Sequence, residues 1–330
     1  MAETNDQMTK ILRQLVIAGA AVLGALPAGA QTYPGKPIRV VVSTSPGGIT
    51  DIAARILGSH ITAKTGQPVV IDNRPGASGN IALETVVHAV PDGYTLGFAN
   101  TGNIAINPFL FAHMPFDPLH DLVPVGPVGT VPLFLVINGK MLAKTLAEFI
   151  AYAKAHPDTV NYAGAGAGTT PDLAGREFIR RAGLKLVTVP FKGTTPATTA
   201  VVAGDVQATF ISMGPHMDFV RSGALHVLAA ATSRREPYMP DTPTFAELGF
   251  PGLETSTWFS LFAPRGTPGG IVDQLNRYTR TVHDDAESQR RLDANFVDPL
   301  IMTAGEFAAL VKADAAKWER VVRETGAKLE

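Results

Sequence analysis

With 330 residues, 45% of them hydrophobic and 17% charged, the chain can bury a large core and is long enough for two domains of ordinary size, which excludes a disordered chain. A net charge of -1 leaves no footprint for nucleic acid or an anionic membrane, and no run of Lys and Arg supplies one locally. Cysteine is absent, so disulfides, thiolate nucleophiles and thiolate metal sites are excluded.

At the N-terminus Lys10 and Arg13 precede an apolar run, residues 15–26, which ends at Pro27 and Ala28-Gly29-Ala30. This pattern predicts a secretory leader cleaved before Gln31, its apolar run too short to span a bilayer comfortably. Glu3 and Asp6 are unusual in such a leader, and Met8 offers an alternative start. The mature chain is therefore taken as residues 31–330, an exported soluble protein.

Residues 38–42 form an apolar strand that feeds into Thr44-Ser45-Pro46-Gly47-Gly48-Ile49-Thr50-Asp51. A helix follows over 51–65, with Ile52, Ala53, Ile56, Leu57 and Ile61 on one stripe and Gly66 at its end. Strand, glycine turn and helix N-terminus in that order make an anion-binding corner, because the glycines admit close approach and the first-turn N–H groups face the ligand. A second strand, 69–71, enters Asp72-Asn73-Arg74-Pro75-Gly76-Ala77-Ser78-Gly79 ahead of a helix over 80–89. Two successive units of this kind imply a parallel sheet with right-handed crossovers. A third strand, 94–99, ends at Asn100-Thr101-Gly102-Asn103.

Prolines and glycines are dense over 108–132, and the apolar pieces 123–128 and 133–137 leave no room for a helix between them, which places a domain crossing here. A helix over 144–156 and a strand over 160–163 lead to Gly164-Ala165-Gly166-Ala167-Gly168-Thr169-Thr170-Pro171. There a Thr cap and Pro171 open a helix running to about Arg181, the counterpart of the first corner. A strand over 186–189, the turn Phe191-Lys192-Gly193-Thr194, a helix over 196–203, strands at 208–211 and 227–231 and a helix over 216–222 complete the second domain. The proline-rich stretch 237–243 reads as the second crossing; a strand over 258–263 and amphipathic helices over 268–284 and 303–325 close the chain. The domain reading is a leader at 1–30, a first lobe from 31–130 and 244–330, and a second lobe from 131–243.

The run Gly164-x-Gly166-x-Gly168 lacks the full dinucleotide fingerprint, and the next strand ends in Pro190, Phe191 and Lys192 rather than an acidic residue. The eight histidines show no H-E-x-x-H and no i, i+4 pair, so no metal site is expected. His216 and Asp218 have no G-x-S-x-G nucleophile to serve, and Gly76-Ala77-Ser78-Gly79 lacks that spacing. No catalytic residue and no cofactor is assigned; an exported α/β hydrolytic enzyme acting on a small carboxylate is the rival class, since triads are defined by geometry. A single glycine corner is explained by a tight turn alone. Several corners in an exported two-domain chain point instead to a small anion bound at the carboxyl ends of the strands.

Tyr33-Pro34-x-Lys36-Pro37-Ile38-Arg39, Pro46-Gly47-Gly48-x-x-Asp51-x-x-Ala54-Arg55, Gly66-Gln67-Pro68-Val69-Val70, Asn73-Arg74-Pro75-Gly76-Ala77-x-Gly79-Asn80 and Pro91-Asp92-Gly93-Tyr94-Thr95-Leu96 resemble the solute-binding proteins of tripartite tricarboxylate transporters, the Bug receptors. The likeness continues through Val189-Pro190-Phe191-Lys192-Gly193, Pro240-Asp241-Thr242-Pro243-Thr244, Trp258 and Lys317-Trp318. It implies a periplasmic α/β protein of two lobes, a type II-like Venus flytrap in which each lobe is a mixed, mostly parallel sheet flanked by helices. It also implies a monomer without nucleic acid that clamps a di-, tri- or aromatic carboxylate and passes it to membrane transporter subunits or to a sensor protein. Carried over by position, the first lobe supplies Ser45, Gly47, Gly48 and Asp51, with Gly76, Ala77, Ser78, Gly79, Asn100 and Thr101 nearby. The second supplies Ala165, Gly166, Ala167, Gly168, Thr169 and Thr170. Asp172 stands where relatives often carry His, and Ile211 where many carry Asp, so the expected ligand lacks an amine. Phe191, Phe210, Ile211 and Met213 are expected to contact an apolar or aromatic body on it.

Overall fold

The computed structural model describes residues 33–157 and 159–329; the expected leader, residues 1–30, lies outside them. Within the unit Lys36–Glu330 the first half alternates strand and helix. β1 (Ile38–Val42), a β-branched run buried on both faces but for Arg39, leads to α1 (Ile49–Thr65), which stops at Gly66 with φ 71°. β2 (Val69–Asn73), α2 (Asn80–Val87) and β3 (Thr95–Asn100) follow, and β1 lies between β2 and β3, parallel to both. β4 (Leu122–Pro132) then extends the piece expected at 123–128 as far as Pro132, and only Leu133 separates it from β5 (Phe134–Asn138), the piece expected at 133–137.

The middle of the chain repeats the pattern. In order come α3 (Leu146–Ala155), β6 (Asn161–Ala165), α4 (Thr170–Arg181), β7 (Val187–Phe191), α5 (Thr194–Ala203), β8 (Ala208–Ile211) and β9 (Leu225–Ala230). The chain returns through β10 (Ser256–Pro264), α6 (Gly269–Thr281), α7 (Ala286–Asp293), β11 (Asp298–Pro299) and α8 (Ala304–Thr325). Thr303 and Glu306 form a reciprocal capping box that starts α8, the helix expected over 303–325.

Two mixed sheets result, of order β11-β4-β10-β3-β1-β2 and β7-β6-β8-β5-β9. In the first, β10 runs antiparallel between β3 and β4; in the second, β5 runs antiparallel between β8 and β9. The step from β4 to β5 carries the chain from one sheet to the other. The prolines of β4 are tolerated because β11 pairs only with Gly129 and Thr130, and the pairing with β10 shifts register twice.

Trp258 and Phe262 of β10 pack on Phe307 of α8, with ring centroids 5.2 and 5.8 Å apart, and anchor the core of the first sheet. The second sheet is covered on both faces. Phe210 stacks on Phe245 at 5.7 Å beside Phe178 on one face, while Ile211 and Met213 join Phe134 and Val201 on the other. Such aromatic pairs add about 0.5–1.5 kcal/mol each beyond the area they bury. The return expected at 237–243 comes later than the prolines suggest. Thr244 bridges to Ala230, and Phe245 and Leu253 belong to the second sheet's core, so the chain leaves that sheet only as it enters β10.

Candidate functional site

The end of β1 and the start of α1 form the first corner. Gly47 has φ 84°, and Gly48, the N-cap, has no side chain to satisfy the first-turn N–H groups, which stay open. Asp51 is buried and faces back into the turn. Its carboxylate accepts from Gly47 N–H at 2.9 Å, Arg55 Nε at 3.0 Å and Asn73 Nδ2 at 2.9 Å. Burial alone pushes this carboxyl up, but the hydrogen bonds from Arg55, Gly47 and Asn73 outweigh it and hold it below the usual carboxylate range.

The second corner, between β6 and α4, repeats this device. Gly168 N–H donates to Asp172 Oδ2 at 3.1 Å and Arg176 Nε donates to the same oxygen at 3.0 Å. Both corners thus read Gly-x-x-x-Asp-x-x-x-Arg, from Gly47 and from Gly168. Asp172, read from sequence as a departure, is the twin of Asp51. A third corner follows β7, where Gly193, φ 117°, is the uncapped N-cap of α5 and Lys192 precedes it.

The loop at 76–79 closes the first-lobe side. Ala77 and Ser78 hold φ of 44° and 51°, a left-handed conformation that costs about 1–2 kcal/mol per residue. Asn103 and Asn107 offset that cost by donating to Ser78 O at 2.7 and 3.0 Å, and Asn103 accepts from Ser43 Oγ at 2.6 Å. A Cβ at Gly79 would run into Asn103 and Ser43, so glycine is required there.

Between these corners lies a cleft of about 740 Å³. Of the residues expected from sequence, Ser45, Gly48, Gly76, Ser78, Gly79 and Asn100 line it from one side and Ala167, Gly168, Thr169 and Thr170 from the other. Gly47, Asp51, Ala77, Thr101, Ala165 and Gly166 are not on its wall. Thr101 is buried, its hydroxyl accepting from Trp258 N–H at 3.0 Å; Ala165 is buried in the second core; Gly166 N–H is held by Gly164 O and Phe191 O.

Phe191, Phe210, Ile211 and Met213 correct the expectation of an aromatic or apolar contact: all four pack in the second sheet's cores and none lines the cleft. β8 is covered on both faces, so its side chains alternate between two cores, and a carboxylate at position 211 would face protein. The apolar lining consists of Pro46, Ile49, Pro75, Ala167 and Pro171, without an aromatic ring. Sequence reasoning did not select Lys192, Gly193, Thr194, Asn103 or Thr257, which do line the cleft. The turn Phe191-Lys192-Gly193-Thr194 carried the signal, since it repeats the strand, glycine, helix order of the other corners. Among the described lining residues Lys192 is the single charged one, set amid hydroxyls, amides and open N–H groups. The arrangement suits an anion.

The sequence profile described as "Tripartite tricarboxylate transporter family receptor" matches residues 53–327. Protein BugT of Bordetella pertussis is 37% identical over 324 residues, 98% of this chain and 99% of that protein. A solved R. palustris protein with adipate is 32% identical and superposes with a TM-score of 0.80, covering 90% of this chain and 100% of that one. MatC from Rhodopseudomonas palustris with bound malate is 33% identical with a TM-score of 0.76, covering 88% of this chain and 100% of that one.

Proposed function

The chain belongs to the tripartite tricarboxylate transporter receptor family, a family of periplasmic solute-binding proteins, and on that premise we propose that it captures a small dicarboxylate in the cleft for uptake by a transporter of that type. One observation carries the reading: two helix N-termini without side-chain caps, at Gly48 and Gly193, open on a single cleft whose described lining has Lys192 and no carboxylate. Each end of the ligand then meets backbone donors, one at the first corner and one at the Lys192 and Thr194 turn. The adipate and malate bound by the two relatives carry two carboxylates each, which supports the same class. Such charge-assisted bonds strengthen as closure removes water from the cleft. Closure is driven only by the ligand's better contacts in the closed state, so cargo is held and released without turnover.

Thermal unfolding of residues 31–330 against malate, adipate, citrate, benzoate and aspartate tests this. A ligand at about 100 times its dissociation constant adds roughly 2.7 kcal/mol of stability. The expected result is a clear upward shift with a dicarboxylate. Stabilisation by aspartate alone, or by none of the acids once mass spectrometry of the denatured protein has shown no carried-over ligand, overturns the reading.

A further inference from the structure

β10 alternates between two cavities. Thr257 faces the cleft, while Ser256 and Trp258 on either side of it line a second cavity of about 620 Å³. Its walls come from both sheets' territories: Thr130, Trp258 and Asp298 with α8 on one side, and the segment 231–237 on the other. Four carboxylates, Glu236, Glu254, Asp298 and Asp314, line it against two cations, Arg234 and Lys317.

Two of these groups are already engaged. Asp314 accepts from Trp258 Nε1 at 2.7 Å, and Lys317 Nζ donates to Glu254 O and Thr255 Oγ1. Among the described residues the side-chain carboxylates of Glu236 and Asp298 have no hydrogen bond and no ion pair, although Glu236 is only 7% exposed; the backbone carbonyl of Glu236 accepts from Met239 N–H. Their sole electrostatic relief is the exposed Arg234. Trp318 Nε1, in a side chain 1% exposed on the same wall, is likewise without an acceptor. A buried polar group without a partner costs about 1–3 kcal/mol, and Trp318 Nε1 beside the unpaired Glu236 carboxylate marks a surface shaped for something the chain itself does not supply.

We propose that this cavity behind the β10 strand is a second ligand site, one that takes a small organic cation: an ammonium group answered by Glu236 and Asp298, on an apolar body set against Leu300, Met302 and Leu310. A metal ion is the weaker occupant, because no cluster of three or more metal-ligating side chains forms among the described residues. The charge also has the right sign. Burial and the nearby Asp298 push Glu236 up to about 7, with Arg234 opposing, and a cation in the cavity removes that penalty. The inference does not depend on the carboxylate reading of the cleft.

The protein carries its own reporter, since the sequence has two tryptophans and both Trp258 and Trp318 line this cavity. The mature chain is titrated with benzylamine and with butylamine at about pH 8, where Glu236 is ionised, following tryptophan emission. The expected result is a saturable change with at least one amine. Its affinity falls by about tenfold or more in Glu236→Gln, the usual loss on removing a charged hydrogen-bond partner. Arg234→Glu, a change at an exposed side chain, tightens it. No saturable change with either amine overturns the proposal, as does equal affinity in wild type, Glu236→Gln and Arg234→Glu. Circular dichroism and a cooperative thermal unfolding transition of the same variants confirm that they fold.

Discussion

Lys192 and Gly48 act on a ligand in different ways, and substitution separates them. Lys192 is an exposed point charge at the cleft edge, so Lys192→Ala should weaken dicarboxylate binding by about tenfold and flatten its dependence on salt. Gly48 has ordinary φ, and a Cβ there meets nothing nearer than Ser45 O at 3.7 Å. Gly48→Val should therefore leave the melting temperature of the empty protein nearly unchanged while screening the first-turn N–H groups, with a loss of about a hundredfold or more by calorimetric titration. Equal binding by wild type and Gly48→Val would refute the backbone-donor site. At this scale the glycine corners were legible, because few residues other than glycine permit such turns. Phe210, Ile211 and Met213 were not, because an apolar strand covered on both faces gives no sign of which side chains meet a ligand.

The twin corners are the element to test next. In each, one carboxylate holds a glycine N–H from four residues before it and an arginine from four residues after it. Asp172→Ala should lower stability by about 1–3 kcal/mol in urea unfolding, since it leaves the buried Gly168 N–H unpaired, and Asp51→Ala by about 0.5–1.5 kcal/mol, since Gly47, Arg55 and Asn73 keep access to water; Asn at either position should restore part of it as an acceptor. Because Asp51 is held below its usual value of 3.8 in the folded state, its contribution is present above that value and fades as pH falls through the lowered one. The strand, turn and helix order of these units was readable from periodicity and glycine position. The twinning was hidden, since the shared pattern spans only three residue types and lies within otherwise unlike loops. The continuity of β4 through its prolines was hidden too, because it depends on how little of that strand β11 covers.

For the molecule as a whole, pH acts from two directions. Glu236 is raised from 4.5 to about 7 by burial and by Asp298, so the folded state binds more protons than the unfolded chain across that interval and stability should fall as pH rises through it. Melting temperatures measured between about pH 5 and 8 should decline, and Glu236→Gln should flatten the slope. The two-lobe α/β fold was legible from its successive strand and helix units. The late return was not, because Phe245 is recruited by stacking on Phe210, a contact that position in the chain does not announce. The second cavity was equally invisible, its walls drawn from five separated stretches between Thr130 and Trp318. The paired frames bear on how such a protein changes over generations. Asp51, Arg55, Asp172 and Arg176 stand behind the loops they brace, and none of them lines the cleft. On the proposed function, substitutions at Ser45, Thr169, Lys192 or Thr194, which line the cleft, alter what is recognised while the bracing stays intact, so one inherited scaffold can serve successive diets.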